Sequence, residues 1–199
     1  MSIEKLLKLV PGGVFGLLSV IIIVLGEFLA FLFFPGYNVL ENMISDLGIG
    51  PGGLFFNLSV IVSGIIIIPY YVNLANSFSG EKLNINLKKF AITVAIISCL
   101  TYSLLGVFPS DEDWFIIYFT HGTLAAISIG TGLLYLISYS KLMIQAENFS
   151  KIQGYHGFIV SMFYFTFLIT WIPIVEWMMN LAILSWIAAN SIYILYKRY

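Results

Sequence analysis

Six apolar stretches of roughly 20 residues each partition this chain, the length a helix needs to cross the ~30 Å hydrocarbon core of a bilayer. They run at about 13–34, 54–75, 90–108, 114–139, 157–175 and 177–196. Hydrocarbon offers no water to backbone N–H and C=O groups, so such segments span as helices. The connections between them then sort by charge. An even number of spans puts both chain ends on one side, and that side holds Lys5, Lys8, Lys82, Lys88, Lys89, Lys141, Lys151, Lys197 and Arg198, which are all nine basic residues. The opposite connections hold Glu41, Asp46, Asp111, Glu112, Asp113 and Glu176, and no basic residue. Because basic segments are retained on the cytoplasmic side, the fold class expected is all-α: a polytopic bundle of six transmembrane helices in a cell membrane, both termini cytoplasmic. A miscount by one span would scatter the lysines over both faces.

Composition agrees. Of the 199 residues, 60% are hydrophobic and 10% are charged, against roughly 25% charged in a soluble domain. The net charge of −1 leaves no basic face for nucleic acid. Cys99 is the only cysteine, so neither an internal disulfide nor a cysteine metal site is expected. Two early lysines before an apolar run imitate a secretion signal. The run from Val14 to Phe34 exceeds the 7–15 residues of such a signal, however, and no A-x-A site follows, so it reads as a retained span. Trp114, Trp171 and Trp177 fall near outer span ends and Tyr196 and Tyr199 near the inner one, as interfacial belts do. With no internal repeat or linker, residues 1–199 read as one domain.

The first outer connection, Pro35 to Asn57, is rich in glycine and proline. Within it, Asn38 to Leu47 has the pattern of a short interfacial helix. Asn38 can cap it with Glu41 three residues on, Val39, Leu40, Met43, Ile44 and Leu47 share a face, and Gly48 can end it. Such a segment either joins two spans at the surface or forms a lid over polar groups beneath it.

Glu27 is the charge-capable residue deepest in a span, and a carboxylate there costs at least ~2.5–3.5 kcal/mol, so it is expected to face the bundle interior. His121 lies at about the same depth in span four, roughly 10 Å from the outer end. The two form a plausible hydrogen-bonded pair. Asn57, Tyr102, Ser103, Thr120, Thr170 and Asn180 share this outer layer, and the inner half is poorer in such groups. The cluster reads as structural glue between helices, as a ligand or proton site, or as a metal site built from His121 with Glu27, Asp46 or Asp111. That last set has no diagnostic spacing, and His156 lies across the membrane, so no metal and no cofactor are expected. Ser45 beside Asp46 could serve a hydrolase with His121. No nucleophile elbow, Walker loop, H-E-x-x-H or dinucleotide fingerprint is present.

In the second outer connection, Ser110 can cap span four with Asp113 at the third helical position, while Asp111 is free to turn toward the first loop. On span four, Gly122, Ala126 and Gly130 make a small-xxx-small stripe that permits close helix packing or contact with another copy or a membrane partner; Gly12 and Gly16 make a weaker one in span one.

Ile44-Ser45-Asp46-Leu47-Gly48, then Pro51 and Phe56-Asn57, together with Gly106-Val107-Phe108-Pro109-Ser110-Asp111 and His121 ten residues on, resemble the domain-of-unknown-function 998 family. These are six-span prokaryotic membrane proteins, many archaeal, without an established activity. The resemblance implies that Ser45, Asp46, Asn57, Pro109, Asp111 and His121 are characteristic positions, all on the outer face; Glu27 is not part of that pattern. The Ile44–Gly48 block is also similar to one in the eukaryotic FRAG, DRAM and Sfk-type proteins, some of which act in lipid remodelling or distribution. The expected function is therefore binding of a membrane lipid or other amphiphile at an outward-facing polar site, with Asp46, Asp111 and His121 central and Glu27 and Asn57 in support. Two alternatives stand beside it. One is a membrane-embedded lipid hydrolase or transferase with His121 as general base and Asp46 or Asp111 orienting it. The other is a subunit of a larger membrane complex.

Overall fold

The computed structural model describes residues 10–81 and 83–197. Lys5, Lys8, Lys82, Arg198 and Tyr199, used above to orient the chain, lie outside the described residues. The elements are helices α1 (Gly12–Leu32), α2 (Gly53–Ile66), α3 (Ile68–Ser77), α4 (Ile85–Leu105), α5 (Phe115–Gln145), α6 (Lys151–Thr170) and α7 (Pro173–Lys197), with a 3-10 helix at Ile44–Gly48. Helices α2 and α3 are one span, Gly53–Ser77, interrupted at Ile67. The break falls two residues before Pro69, whose ring and missing N–H disturb the preceding turn. Among the described residues, six helices are long and apolar enough to cross a membrane.

The spans form a ring. Each packs chiefly on the one before and the one after it, and α7 returns to α1. The first and last helices run antiparallel: at one end Gly13 lies against Ser191 and Leu195, and further along α1 Glu27 bonds Asn180. Gly12 and Lys197 therefore mark the same end of the ring, here called the terminal end, and the 33–52 connection marks the loop end. Lys88, Lys89, Lys141, Lys151 and Lys197, the basic residues among those described, all lie at or within about a turn of helix ends at the terminal end. Leucine, isoleucine and phenylalanine side chains such as Leu25, Phe28, Leu58, Ile65, Phe119 and Leu181 face outward and exposed. In water that would be a large apolar surface; in a bilayer it is solvated by acyl chains.

Close approach inside the ring is set by glycines other than those in the α5 stripe. A Cβ at Gly26 would strike Ser59 of α2, one at Gly64 the Ser103 hydroxyl of α4, and one at Gly132 the Tyr164 ring of α6. Gly12 and Gly16 behave as expected, lying against Asn73 of α3 and Ser191 of α7. Gly122 and Gly130 have nothing within 4 Å of a built Cβ. The stripe expected to pack span four faces away from the ring.

Three local expectations are corrected. The amphipathic helix at Asn38–Leu47 is a single turn at Asn38–Asn42 followed by the 3-10 helix, which starts only at Ile44. Asn38 accepts from Leu40 N–H through its side chain (3.0 Å), an Asx turn rather than a capping box with Glu41. Ser110 does not cap α5, which starts at Phe115 after Trp114; its hydroxyl donates to the Ser45 carbonyl instead (3.2 Å). Pro173 opens the sixth span instead of closing the fifth, and Glu176 sits in that helix's first turn. The hairpin linking α6 to α7 is Trp171–Ile172, with Trp171 in the left-handed region (φ 51°).

Candidate functional site

The two halves of the ring are filled differently. Toward the terminal end, Tyr70, Leu74, Tyr139, Leu142, Met143 and Trp186 are fully buried. The rings of Tyr71, Tyr139 and Trp186 pack at tilted angles, with Tyr71–Tyr139 centroids 5.8 Å apart and Tyr139–Trp186 6.4 Å apart. The Tyr139 hydroxyl donates to the Tyr71 carbonyl (2.8 Å) and that of Tyr71 to the Tyr135 hydroxyl (2.9 Å). This aromatic layer is a floor. It also holds the wholly buried Ser140, Asn190 and Ser191, so the inner half is not as poor in polar groups as the sequence reading has it. Among the described residues, Ser140 Oγ, Trp186 Nε1 and Ser191 Oγ have no hydrogen-bond partner.

Above the floor lies an elongated cavity of about 150 Å³, comparable to an engineered cavity of that size that admits benzene. All six spans line it. Along α1 its wall runs from Glu27 down to Ser19, roughly 12 Å at 1.5 Å per residue. The middle is apolar, with Ile23, Val60, Leu105, Ile129 and Ile183 as examples, and its few polar rungs are largely spent on helix contacts. Ser19 donates to the Ser63 carbonyl (3.1 Å), and Ser98 and Ser128 each donate to the other's carbonyl (2.8 and 3.2 Å). Polar side chains of the lining gather at the loop end: Glu27, Ser45, Tyr102, His121, Glu176 and Asn180.

Glu27 and His121 do share this cavity, but not as the hydrogen-bonded pair expected. Glu27 Oε1 accepts from Asn180 Nδ2 (2.9 Å), which joins α1 to α7. His121 Nδ1 lies 2.7 Å from the Phe108 carbonyl. A carbonyl only accepts, so Nδ1 bears the hydrogen, and Nε2 of the neutral ring is a lone-pair acceptor.

The 3-10 helix closes over this end, with Ile44 and Ser45 in the cavity wall. Glu176 Oε2 accepts the Ile44 N–H (2.7 Å). Trp177 Nε1 donates to the Tyr37 hydroxyl (3.0 Å), which donates to the Met43 carbonyl (2.7 Å). Two adjacent residues of α7 thus hold the cap from beneath. Glu176 is the site residue the sequence reading passed over: counting it as hairpin hid the possibility that it lies on the inner face of a helix, four residues from Asn180.

The remaining expected site residues lie outside the cavity. Asp46 Oδ2 accepts the Met43 N–H (2.9 Å) across the first turn of the 3-10 helix, and its Oδ1 is 3.5 Å from Ser110 Oγ. Asn57 donates to the Gly48 carbonyl (2.9 Å) and fastens the other end of that helix to α2. Asp111 accepts the Asp113 N–H (3.1 Å) in the second loop. Ser45 and His121 alone of the hydrolase set line one space. Among the described residues no three His, Cys, Asp or Glu side chains gather closely enough to hold a metal ion.

The model of the family described as a protein of unknown function, DUF998, matches residues 17–196. No curated protein and no solved structure matches the chain. The likeness to FRAG, DRAM and Sfk-type proteins therefore rests on the Ile44–Gly48 block alone.

Proposed function

The chain belongs to the DUF998 family of unknown function, and on that premise we propose that it binds a lipid or other amphiphile in the hollow end of its helix ring. One observation carries the reading. The cavity is long, apolar along its walls and polar at the loop end, which is the shape and polarity of a molecule with a tail and a head. The terminal end, where the lysines collect, is taken as cytoplasmic, which makes the polar end outward-facing.

Titration of the purified protein in neutral maltoside micelles with n-octanol, followed by thermal shift, tests the reading. Saturable stabilisation of the wild type is expected. Ala125 lines the cavity from α5, and Ala125→Phe, which occupies tail space, should weaken binding by at least ~10-fold. A response that never saturates, or one identical in both proteins, counts against a tail slot.

Two observations favour other readings. The free Nε2 of His121 and the hydroxyl of Ser45 share the cavity, as a lipid hydrolase or transferase requires; the group that orients the imidazole is then the Phe108 carbonyl rather than Asp46 or Asp111. The outward exposure of Gly122 and Ala126 favours a contact with a second copy or a membrane partner through the stripe with Gly130.

A further inference from the structure

We propose that the head of the occupant is a primary ammonium, or a comparable cation bearing N–H donors, and not a phosphate or carboxylate. The inference rests on the amphiphile reading and adds the head chemistry to it. Glu27 and Glu176 reach the same cavity from α1 and α7, Glu176 lies within Coulombic range of Glu27, and among the described residues no lysine or arginine lines the space. Glu27 is only 7% exposed. One of its oxygens holds Asn180, and the other has no donor among the described residues. Independently, His121, 9% exposed, spends its one N–H on Phe108 and, among the described residues, leaves Nε2 without a partner at the cavity wall.

The loop end thus gathers acceptors beside the Ser45 and Tyr102 hydroxyls, and among the described residues it holds no lysine or arginine. Both carboxyl groups, when ionised in this low-dielectric space, repel an anionic head and attract a cation. An ammonium brings three donors and the counter-charge the site lacks. Phosphate would have to remain outside, beyond the 3-10 cap.

Four probes near neutral pH separate the possibilities: n-octylammonium, n-octanol, n-octanoate and the tailless ethylammonium, each titrated against the protein in neutral maltoside. Octylammonium should bind at least ~10-fold more tightly than octanol, with octanoate weakest. The preference should vanish in the Glu27→Gln, Glu176→Gln double variant. That variant keeps an acceptor oxygen for Asn180 and for Ile44 N–H, and octanol binding reports that it is folded. Should the double variant fail to fold, Glu27→Gln alone gives the readout, since it leaves the Glu176 contact to the cap untouched. Octanoate binding as tightly as octylammonium overturns the assignment, as does an ammonium preference that survives loss of the carboxylates. Octanol binding with no preference among heads overturns the head alone and leaves the amphiphile reading standing. Ethylammonium binding as tightly as octylammonium keeps the ammonium head and overturns the amphiphile. Failure of all four to bind overturns both.

Discussion

Asp46 stands where the 3-10 helix, the second loop and the first turn of the cap meet, and its role follows from which donors it satisfies. Because its carboxylate accepts the Met43 N–H, Asp46→Ala should cost about 1 kcal/mol of stability, as loss of a capping acceptor does, whereas Asp46→Asn keeps the acceptor. Wild type and Asp46→Asn separate further with pH. Burial holds the Asp46 carboxyl above its usual 3.8, with donors from Met43, Asn42 and Ser110 pulling the other way. The folded state therefore binds this proton more tightly than the unfolded chain does. The resulting stabilisation is full below pH 3.8 and is lost as pH rises from there through the raised folded value. The advantage of Asp46→Asn over wild type should grow across that acid window and stay level above it, read as thermal midpoints against pH. At this scale the sequence indicated which residues matter better than what they do. Asp46 and Asn57 stand out as polar residues at a membrane surface whether they face a ligand or a backbone amide. Only the burial of Ile44 and Leu47, a tertiary event, turns them toward the loop.

Among the elements, six spans were legible because hydropathy over 20 residues overwhelms local detail. Their ends were less so. Helix α4 begins at Ile85, about five residues before its apolar run, because Asn84 caps it through the Leu87 N–H (3.0 Å) and Lys88 and Lys89 lie in its polar opening turns. Such turns stand outside the hydrocarbon and leave no hydropathy signal. Which side of a helix faces inward was not legible either. Gly122, Ala126, Gly130 and Gly132 all lie on α5, and small size alone does not single out Gly132 as the one beneath Tyr164. Gly132→Leu should accordingly destabilise the ring by about 1–3 kcal/mol through overpacking, while Gly122→Leu should leave thermal stability within about 0.5 kcal/mol. If Gly122→Leu instead changes the oligomeric state in size-exclusion chromatography with light scattering, the outward face is a contact between copies.

For the molecule as a whole, the orientation deduced from the lysines can be tested at two exposed positions on opposite ends, Glu112 and Glu147. In a Cys99→Ala background, Glu112→Cys should react with an impermeant maleimide in intact cells and Glu147→Cys only after permeabilisation. The reverse pattern would turn the bundle over and open the cavity toward the cytoplasm. The cavity was not foreseeable from spans alone, since it depends on six helices closing as a ring with serines and small residues inside. The floor of tyrosines and Trp186 beneath it bears on traffic. A vessel floored at one end can exchange its contents only at the other, where the 3-10 cap sits. On the proposed amphiphile reading, this conformation suits storing, presenting or sensing a ligand, and moving it to the opposite leaflet would first require the Tyr139–Tyr71 hydrogen bond to part.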